Sequence, residues 1–407
     1  MAAVINPHTQ NNFKESALIN RGAFFILAEI IKLKSPEIYI KGKLEERRIA
    51  GNYRTLKPEN KLVDFCSNDY LGFARSPALK SKIDAEINSS GLIANGSGGS
   101  RLLAGNSTFT EDLEKQIAAL HKSEAGLLFT SGYNANLGLF SSLPQRGDTI
   151  ITDELIHASI IDGARLSYAN RYIFKHNDLQ NLEGKLKQAK GNCYVAIESV
   201  YSMDGDTPPI EDLLALTDKY NAHLIVDEAH AVGLYGFGLI DNRFQNRVFA
   251  RIVTFGKALG CHGAIVLGSN LLKEYLVNFA RSFIYTTAAP YHQVAAVKMA
   301  YGLLQQSIDE IALLRNNISL FKQKIKNNAA YPLINSGSAI QCIVLKSNEK
   351  AKELALLLQT NGLDVRPILS PTVPAGSERI RICLHSFNSG EEIILLTETI
   401  NKFLDAE

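Results

Sequence analysis

A lysine beside a glycine, in Gly256-Lys257-Ala258, closes the apolar run Arg251-Ile252-Val253-Thr254-Phe255. Upstream, a second apolar run, Leu224-Ile225-Val226, ends in Asp227, with His230 just beyond it. A lysine at a strand end in apolar surroundings has a depressed pKa, which frees its amine to attack a carbonyl. A carboxylate at a neighbouring strand end can keep a pyridine nitrogen protonated. Read singly, each residue has a plainer account: a lysine beside a glycine is a solvated turn residue, and an aspartate after a strand is a helix N-cap. As an ordered pair, Lys257 and Asp227 describe a site for pyridoxal phosphate joined to the lysine amine.

Strand-like runs alternate with helical ones through the middle of the chain. Gly126 to Thr130 reads as a strand, and Ser131-Gly132-Tyr133 opens a helix, the geometry that presents backbone N–H groups to a phosphate. Further strands are expected at 149–151, 171–174, 193–200, 223–227, 251–255 and 264–268, with helices at 109–121, 159–169, 179–188 and 210–220. Nearly continuous apolar strands alternating with helices predict an α/β fold with a mainly parallel sheet covered on both faces. Ligands of such sheets sit beyond the carboxyl ends of the strands, where most of the residues singled out here fall. A helix over 291–306 leads into a smaller α+β region with a further helix, strands at 339–345 and 379–384, and helices at 350–361 and 391–404. The expected division is an N-terminal segment (1–60), a large domain (61–306) and a small C-terminal domain (307–407). Residues 1–20 read as a disordered lead-in, 22–34 as an amphipathic covering helix, 41–51 as another helix, and Gly96-Ser97-Gly98-Gly99-Ser100 as a ligand-approach loop or a plain flexible one.

The bulk properties exclude several classes of function. The chain has 407 residues, 46% hydrophobic and 21% charged, with a net charge of +2. That balance gives no reason to expect a nucleic acid or an acidic membrane surface as partner. No run reaches the length of a membrane span, and the N-terminus does not read as a signal peptide. The five cysteines are scattered without metal-ligand spacing, which reads as buried thiols in a cytoplasmic protein with no metal site.

Three pieces carry a resemblance: Thr254-Phe255-Gly256-Lys257-Ala258-Leu259-Gly260-Cys261-His262-Gly263-Ala264, Asp227-Glu228-Ala229-His230, and Ser67-Asn68-Asp69-Tyr70-Leu71-Gly72. They resemble the α-oxoamine synthase family of fold-type I pyridoxal-phosphate enzymes, from about Lys41 to the C-terminus. That family joins an amino acid to an acyl thioester with loss of carbon dioxide. The resemblance implies the fold-type I transferase architecture, a large domain with a seven-stranded type of sheet and a small C-terminal domain, and a homodimer with a shared active site. It implies that Lys257 holds the cofactor and acts as base, that Asp227 pairs with the ring nitrogen, and that His230 hydrogen-bonds the phenolic oxygen. His157 would stack on the ring, although beside Ser159 it also reads as a helix-start residue. Ser202 would touch the cofactor oxygen, although Ser202-Met203-Asp204-Gly205-Asp206 is also strong turn chemistry. Gly132, Tyr133 and Thr254 would hold the phosphate, and Thr286 or Thr287 would reach that of the neighbouring subunit. Arg381 would clamp the substrate carboxylate; Arg379 shares its strand face, and only the resemblance chooses between them. Asn68, Thr372 and Arg54 fall on the substrate side; without the resemblance, Thr372, Arg54 and Arg381 read as solvated surface residues.

The wording around Lys257 most resembles the branch that condenses L-alanine with a pimeloyl thioester, on CoA or a carrier protein, to give 8-amino-7-oxononanoate in biotin synthesis. Sister enzymes that use glycine or serine are the alternative, and a catalytically silent binding subunit the remote one. Two departures bear on this. The glycines after His230 (Gly233, Gly236, Gly238) form a shorter pattern than the GxxGxxGxG of the family, which suggests a trimmed loop. Leu369 stands where some relatives carry arginine, so a distal carboxylate would be read by another group such as Arg366, or the acyl donor differs.

Overall fold

In a computed structural model, residues 36–91, 94–241 and 243–406 are described. The expectations for 1–20 and 22–34 lie outside them. The chain separates into two units, Met1–Glu59 and Asn60–Glu407. In the first, a helix spans Pro36–Ile49, beginning earlier than expected. Proline at a first helical turn loses no hydrogen bond, since that N–H has no intrahelical partner.

The second unit is built on a seven-stranded sheet. Its first short strand, β1 (Val63–Asp64), lies outside that sheet. The sheet comprises β2 (Ala125–Phe129), β3 (Thr149–Asp153), β4 (Asn170–Phe174), β5 (Cys193–Glu198), β6 (His223–Asp227), β7 (Ala250–Thr254) and β8 (Ala264–Gly268), in the order β2-β8-β7-β6-β5-β3-β4. Only β8 runs against its neighbours β2 and β7; the other pairs are parallel. Every residue of β3 and β5 is buried, as expected of strands covered on both faces.

Alternation along the strands sorts side chains between two cores. Leu224 and Val226 of β6 pack with Leu182, Leu213 and Leu214. Ile225 of β6 and Ile252 of β7 pack with Leu139, Phe140 and Ile160 from the helices Gly132–Ser142 and Ala158–Leu166. Because the side-chain period is two, Asp227 and Thr254 share the face of Ile225 and Ile252 and meet those two helices. Ser131 caps the first, its hydroxyl accepting from the Asn134 amide, and His157 caps the second, its ring accepting from the Ser159 amide.

A second, three-stranded sheet has the order β11-β12-β9, from β9 (Ile340–Val344), β11 (Arg366–Ile368) and β12 (Arg379–Cys383). The two-residue β10 (Leu363–Asp364) pairs in parallel with β1. Helices Ile308–Lys324, Asn348–Thr360 and Gly390–Asp405 back this region, sharing one core with Phe65, Tyr70 and Phe255.

One expectation is corrected in detail, and three elements go beyond the expectations. The helix expected over 159–169 stops at Leu166, where Ser167 turns extended to feed β4. Helix Asn270–Phe279, capped by Ser269 and burying only Leu272 and Leu276, was not anticipated. Nor were β10 and β11, which are too short to show a period. No helix among the described residues is long and apolar enough to cross a membrane.

Candidate active site

The lysine sits in the connection between β7 and β8. Cys261 N donates to Phe255 O at 2.8 Å and Gly260 N to Lys257 O at 2.9 Å, so the lysine rides on a tight loop. Gly260 has φ +60°, and a Cβ there would overlap the backbone of Phe73 and Ala74. Only glycine allows that close approach. Lys257 Nζ lies 2.7 Å from His230 Nε2. Burial lowers its pKa to about 8, against the opposing charges of Asp227 and Glu198. Burial also holds His230 well below the usual histidine range, helped by the lysine charge. Behind it, His230 Nδ1 is 2.7 Å from the fully buried Tyr70 hydroxyl.

Asp227 ends β6 and is buried. Its carboxylate accepts from Asn136 Nδ2 at 2.8 Å and from the Ala229 amide at 3.0 Å. Asn136 also donates to Ser159 Oγ at 3.0 Å, and that hydroxyl is 2.7 Å from His157 Nδ1. One polar chain therefore joins Asp227 to His157, whose pKa burial lowers against the pull of Asp227. Beside Asp227, in register on β5, stands Glu198. Burial, then the charge of Asp227, raises Glu198 to about 8. Its Oε2 accepts from the Ser202 amide at 3.1 Å, and Oε1 is buried with no hydrogen-bond partner among the described residues.

The expected phosphate residues converge at the start of helix Gly132–Ser142. A Cβ on Gly132 would lie 2.9 Å from Thr254 Oγ1, so the strand-end threonine abuts the helix start. The Tyr133 hydroxyl donates to Asp162, and its ring meets that of His157 edge-on at 6.5 Å. First-turn amides and the helix dipole favour an anion there.

The small sheet supplies the arginines. Arg381 Nε donates to Ser202 O at 2.8 Å and Nη2 to Asn68 Oδ1 at 3.0 Å. Its neighbour Arg379 is committed elsewhere, in an ion pair with Asp204. The Ser202 turn docks on the small sheet, with Ser336 Oγ donating to Gly205 O at 2.8 Å. Ser202 is thus linked to the Lys257 cluster through Glu198 and Arg381.

Thr286 is half-buried and Thr287 exposed; both line a small cavity with Arg101 and Thr130. The glycine loop 96–100 is pinned beside them: Ala288 N donates to Gly99 O at 2.9 Å, and Ser97 Oγ to Ala288 O at 2.8 Å. Thr372 is exposed, its amide donating to Leu369 O at 2.9 Å. Leu369 itself packs against the core. Arg366 donates to Asp364 at 2.6 and 2.9 Å and is therefore already paired. Arg54 belongs to the N-terminal unit. After His230 the chain closes a tight turn, Gly233 N donating to Gly236 O at 2.8 Å.

Sequence reasoning missed Glu198, Asn136 and Tyr70. Glu198 carried a usable signal, a carboxylate ending a strand as Asp227 does. Tyr70 lies in the Ser67–Gly72 piece that carries the resemblance but was given no role of its own, and Asn136 carried no signal, because its partner Asp227 lies far away in sequence.

Comparison with known proteins agrees with the geometry. Residues 60–394 match the family model described as aminotransferase class I and II. The chain is 40% identical over 394 residues to an 8-amino-7-oxononanoate synthase of Emericella nidulans, covering 88% of this chain and 93% of that one. A second 8-amino-7-oxononanoate synthase, from Alkaliphilus oremlandii, is 35% identical over 383 residues, covering 89% and 96%. Among solved structures, the Sphingomonas wittichii serine palmitoyltransferase aligns with TM-score 0.83 at 26% identity, covering 92% of this chain and 98% of that one. The 8-amino-7-oxononanoate synthase of Francisella tularensis aligns with TM-score 0.72 at 30% identity, covering 86% and 99%. The chain belongs to the class I and II aminotransferase family and is a pyridoxal-phosphate-dependent acyltransferase of the 8-amino-7-oxononanoate synthase type.

Proposed function

We propose that this protein condenses L-alanine with a pimeloyl thioester, carried by CoA or a carrier protein, to give 8-amino-7-oxononanoate. The Cα–H bond of alanine and the thioester C–S bond break as a bond forms from Cα to the acyl carbon and the thiol leaves; the Cα–carboxylate bond then breaks, carbon dioxide leaves, and a proton returns to Cα. The observation that carries the reading is the buried Lys257 amine, brought to a pKa of about 8 and held 2.7 Å from His230. A base poised near neutral pH suits proton removal from carbon.

The residues present fit the cofactor. Glu198 Oε1 is a buried polar atom without a partner among the described residues, Asp227 ends its strand in the same cluster, and the Gly132–Thr254 contact leaves a helix start stripped of side chain. Lys257, Asp227, His230, His157 and Ser202 would hold the ring, and Gly132, Tyr133 and Thr254 the phosphate, with Thr286 and Thr287 serving the partner subunit of a homodimer. Bound there, pyridoxal phosphate supplies an electron sink for negative charge at the substrate Cα. Arg381, tethered by Asn68 and the Ser202 carbonyl, offers a planar fork to the amino-acid carboxylate. Lys257 takes the Cα proton, and Thr372 lies on the acyl side. The free thiols of all five cysteines accord with a cytoplasmic setting.

One observation favours a sister reading with glycine or serine as the amino acid: the high structural likeness to a serine palmitoyltransferase. The pairing of Arg366 with Asp364 also removes it as a ready reader of the distal pimeloyl carboxylate. The visible absorption spectrum separates the readings. The holoprotein is expected to show a borohydride-sensitive band that changes most with L-alanine, and Lys257→Ala is expected to lose both band and turnover. A larger response to serine or glycine moves the assignment to a sister enzyme. Near-normal turnover by Lys257→Ala sinks it.

A further inference from the structure

A run of hydrogen bonds crosses the site from the lysine to the arginine. Lys257 Nζ is 2.7 Å from His230 Nε2, His230 Nδ1 is 2.7 Å from the Tyr70 hydroxyl, and that hydroxyl is 3.1 Å from Asn68 Oδ1. Arg381 Nη2 reaches the same oxygen at 3.0 Å. The direction of every proton follows from the arginine end. A guanidinium can only donate, so the Asn68 atom facing Arg381 must be the carbonyl oxygen. With that oxygen fixed as an acceptor, the single Tyr70 proton points to Asn68. The hydroxyl then has only a lone pair to offer His230, so Nδ1 must carry hydrogen. The other end is compatible with this answer: an ammonium is donor-only and is served by a lone pair on Nε2, whereas a neutral Lys257 amine can meet either tautomer.

We propose that Asn68 and Tyr70 are positioning residues that lock His230 in the Nδ1–H tautomer, so that Nε2 faces Lys257 as an acceptor. The opposite tautomer would set the Asn68 and Tyr70 oxygens against each other without a proton between them, and would point Nε2–H at the ammonium. Which ring nitrogen bears hydrogen is set by the bond the other nitrogen makes, and here that bond is made by Tyr70. This deepens the proposed function, resting on Lys257 as its base, by naming what orients the group beside that base.

The test reads the tautomer directly, in the apoprotein, and so is separate from whether the holoprotein turns over alanine. With 15N-labelled histidine at pH 7, the His230 resonances, assigned by their absence in His230→Gln, are expected to show a protonated Nδ1 and an unprotonated Nε2. Asn68→Leu frees the Tyr70 proton to turn to His230, and the proton pattern is expected to reverse. Asn68→Asp keeps an acceptor for Tyr70 and Arg381 and is expected to retain the wild-type pattern. Reversal also costs the ammonium its acceptor, so Lys257 in Asn68→Leu is expected to be acylated roughly threefold faster at pH 7, as a fall of about half a pKa unit requires. A wild-type His230 protonated on Nε2 overturns the proposal by itself, whether or not the variants fold. So does an unchanged tautomer in a folded Asn68→Leu.

Discussion

Arg381 shows how little a residue's type alone decides. Two arginines, Arg379 and Arg381, stand on one face of β12, and their neighbours separate them. Arg379 is paired with the Asp204 carboxylate, whereas Arg381 is tethered by a carbonyl and an amide oxygen, neither of which neutralises it. A cation held by neutral acceptors keeps its charge available for a substrate carboxylate. Lysine cannot reproduce the fork. Arg381→Lys is therefore expected to raise KM for the amino acid by about 10–100-fold, or about 1.4–2.7 kcal/mol. KM for the thioester should stay near wild type. Steady-state kinetics with each substrate varied in turn checks this, and an equal rise in both values would argue against a carboxylate clamp. The candidacy of Lys257, Asp227 and Arg381 was legible because strand ends are readable as the close of an apolar run. The choice of Arg381 over Arg379 rested on resemblance alone, since Asp204 and Asn68 lie far from both in sequence.

At the scale of elements, the 201–206 turn that carries Ser202 is held by a histidine no motif points to. His176, just after β4, places Nδ1 2.9 Å from Asp153 and Nε2 2.8 Å from Asp206. Burial would lower its pKa, but the hydrogen bonds to these two carboxylates and their charges override it, raising it to about 10. Asn177 adds a bond to Asp206 at 2.8 Å, and the Tyr201 ring packs edge-on against the imidazole. A folded pKa above the unfolded value of about 6.5 means that this stabilisation is complete below pH 6.5. It is lost progressively as pH rises through about 10. His176→Gln is expected to be less stable than wild type at pH 6 by about 1–3 kcal/mol, with the gap closing by pH 10. Urea unfolding at pH 6, 8 and 10 reads this directly; a constant gap across that range would show that the charge on His176 is not what matters. The strand and helix cores were readable from periodicity. Helix Asn270–Phe279 and the strands β10 and β11 were not, because the helix buries only two side chains and the strands are two or three residues long.

At the scale of the whole molecule, the site is built from two sheets and the connection 64–72 between β1 and the helix Pro77–Ser89. A fully buried ion pair lies directly behind the cofactor strand. Arg251 Nε donates to Glu228 at 2.7 Å, and Glu228, next to Asp227, also accepts from the Ile240 amide at 2.9 Å. Arg251 further donates to Gln245 at 2.7 Å and to Phe237 O at 2.9 Å. Removing one partner of such a pair strands the other, at a cost of about 3–5 kcal/mol, whereas replacing both with apolar residues is often nearly neutral. Arg251→Ala should therefore destabilise the protein by that amount and weaken cofactor retention through the displaced end of β6. Arg251→Met combined with Glu228→Leu should recover more than half of the loss. Chemical denaturation of the single and double variants checks both statements, and a double variant as unstable as the single one would refute them.

What the sequence determined by itself was the periodicity of its apolar residues and the types that punctuate it. Period-two and period-3.6 patterning, with glycines and capping residues between, defines strands, helices and strand ends, and so the α/β class and the neighbourhood of Lys257 and Asp227. These are local properties, set by backbone geometry over a few residues. What only the tertiary structure decided was partnership. The pKa of Glu198 is raised because β5 carries it into a dry interior in register with Asp227. Asn136 meets Asp227 because one helix covers β6, and Asn68 meets Arg381 because the small sheet closes on the large one. Hydrogen bonds and charge interactions act over a few ångströms of space whatever the separation along the chain, so no spacing in the sequence encodes them.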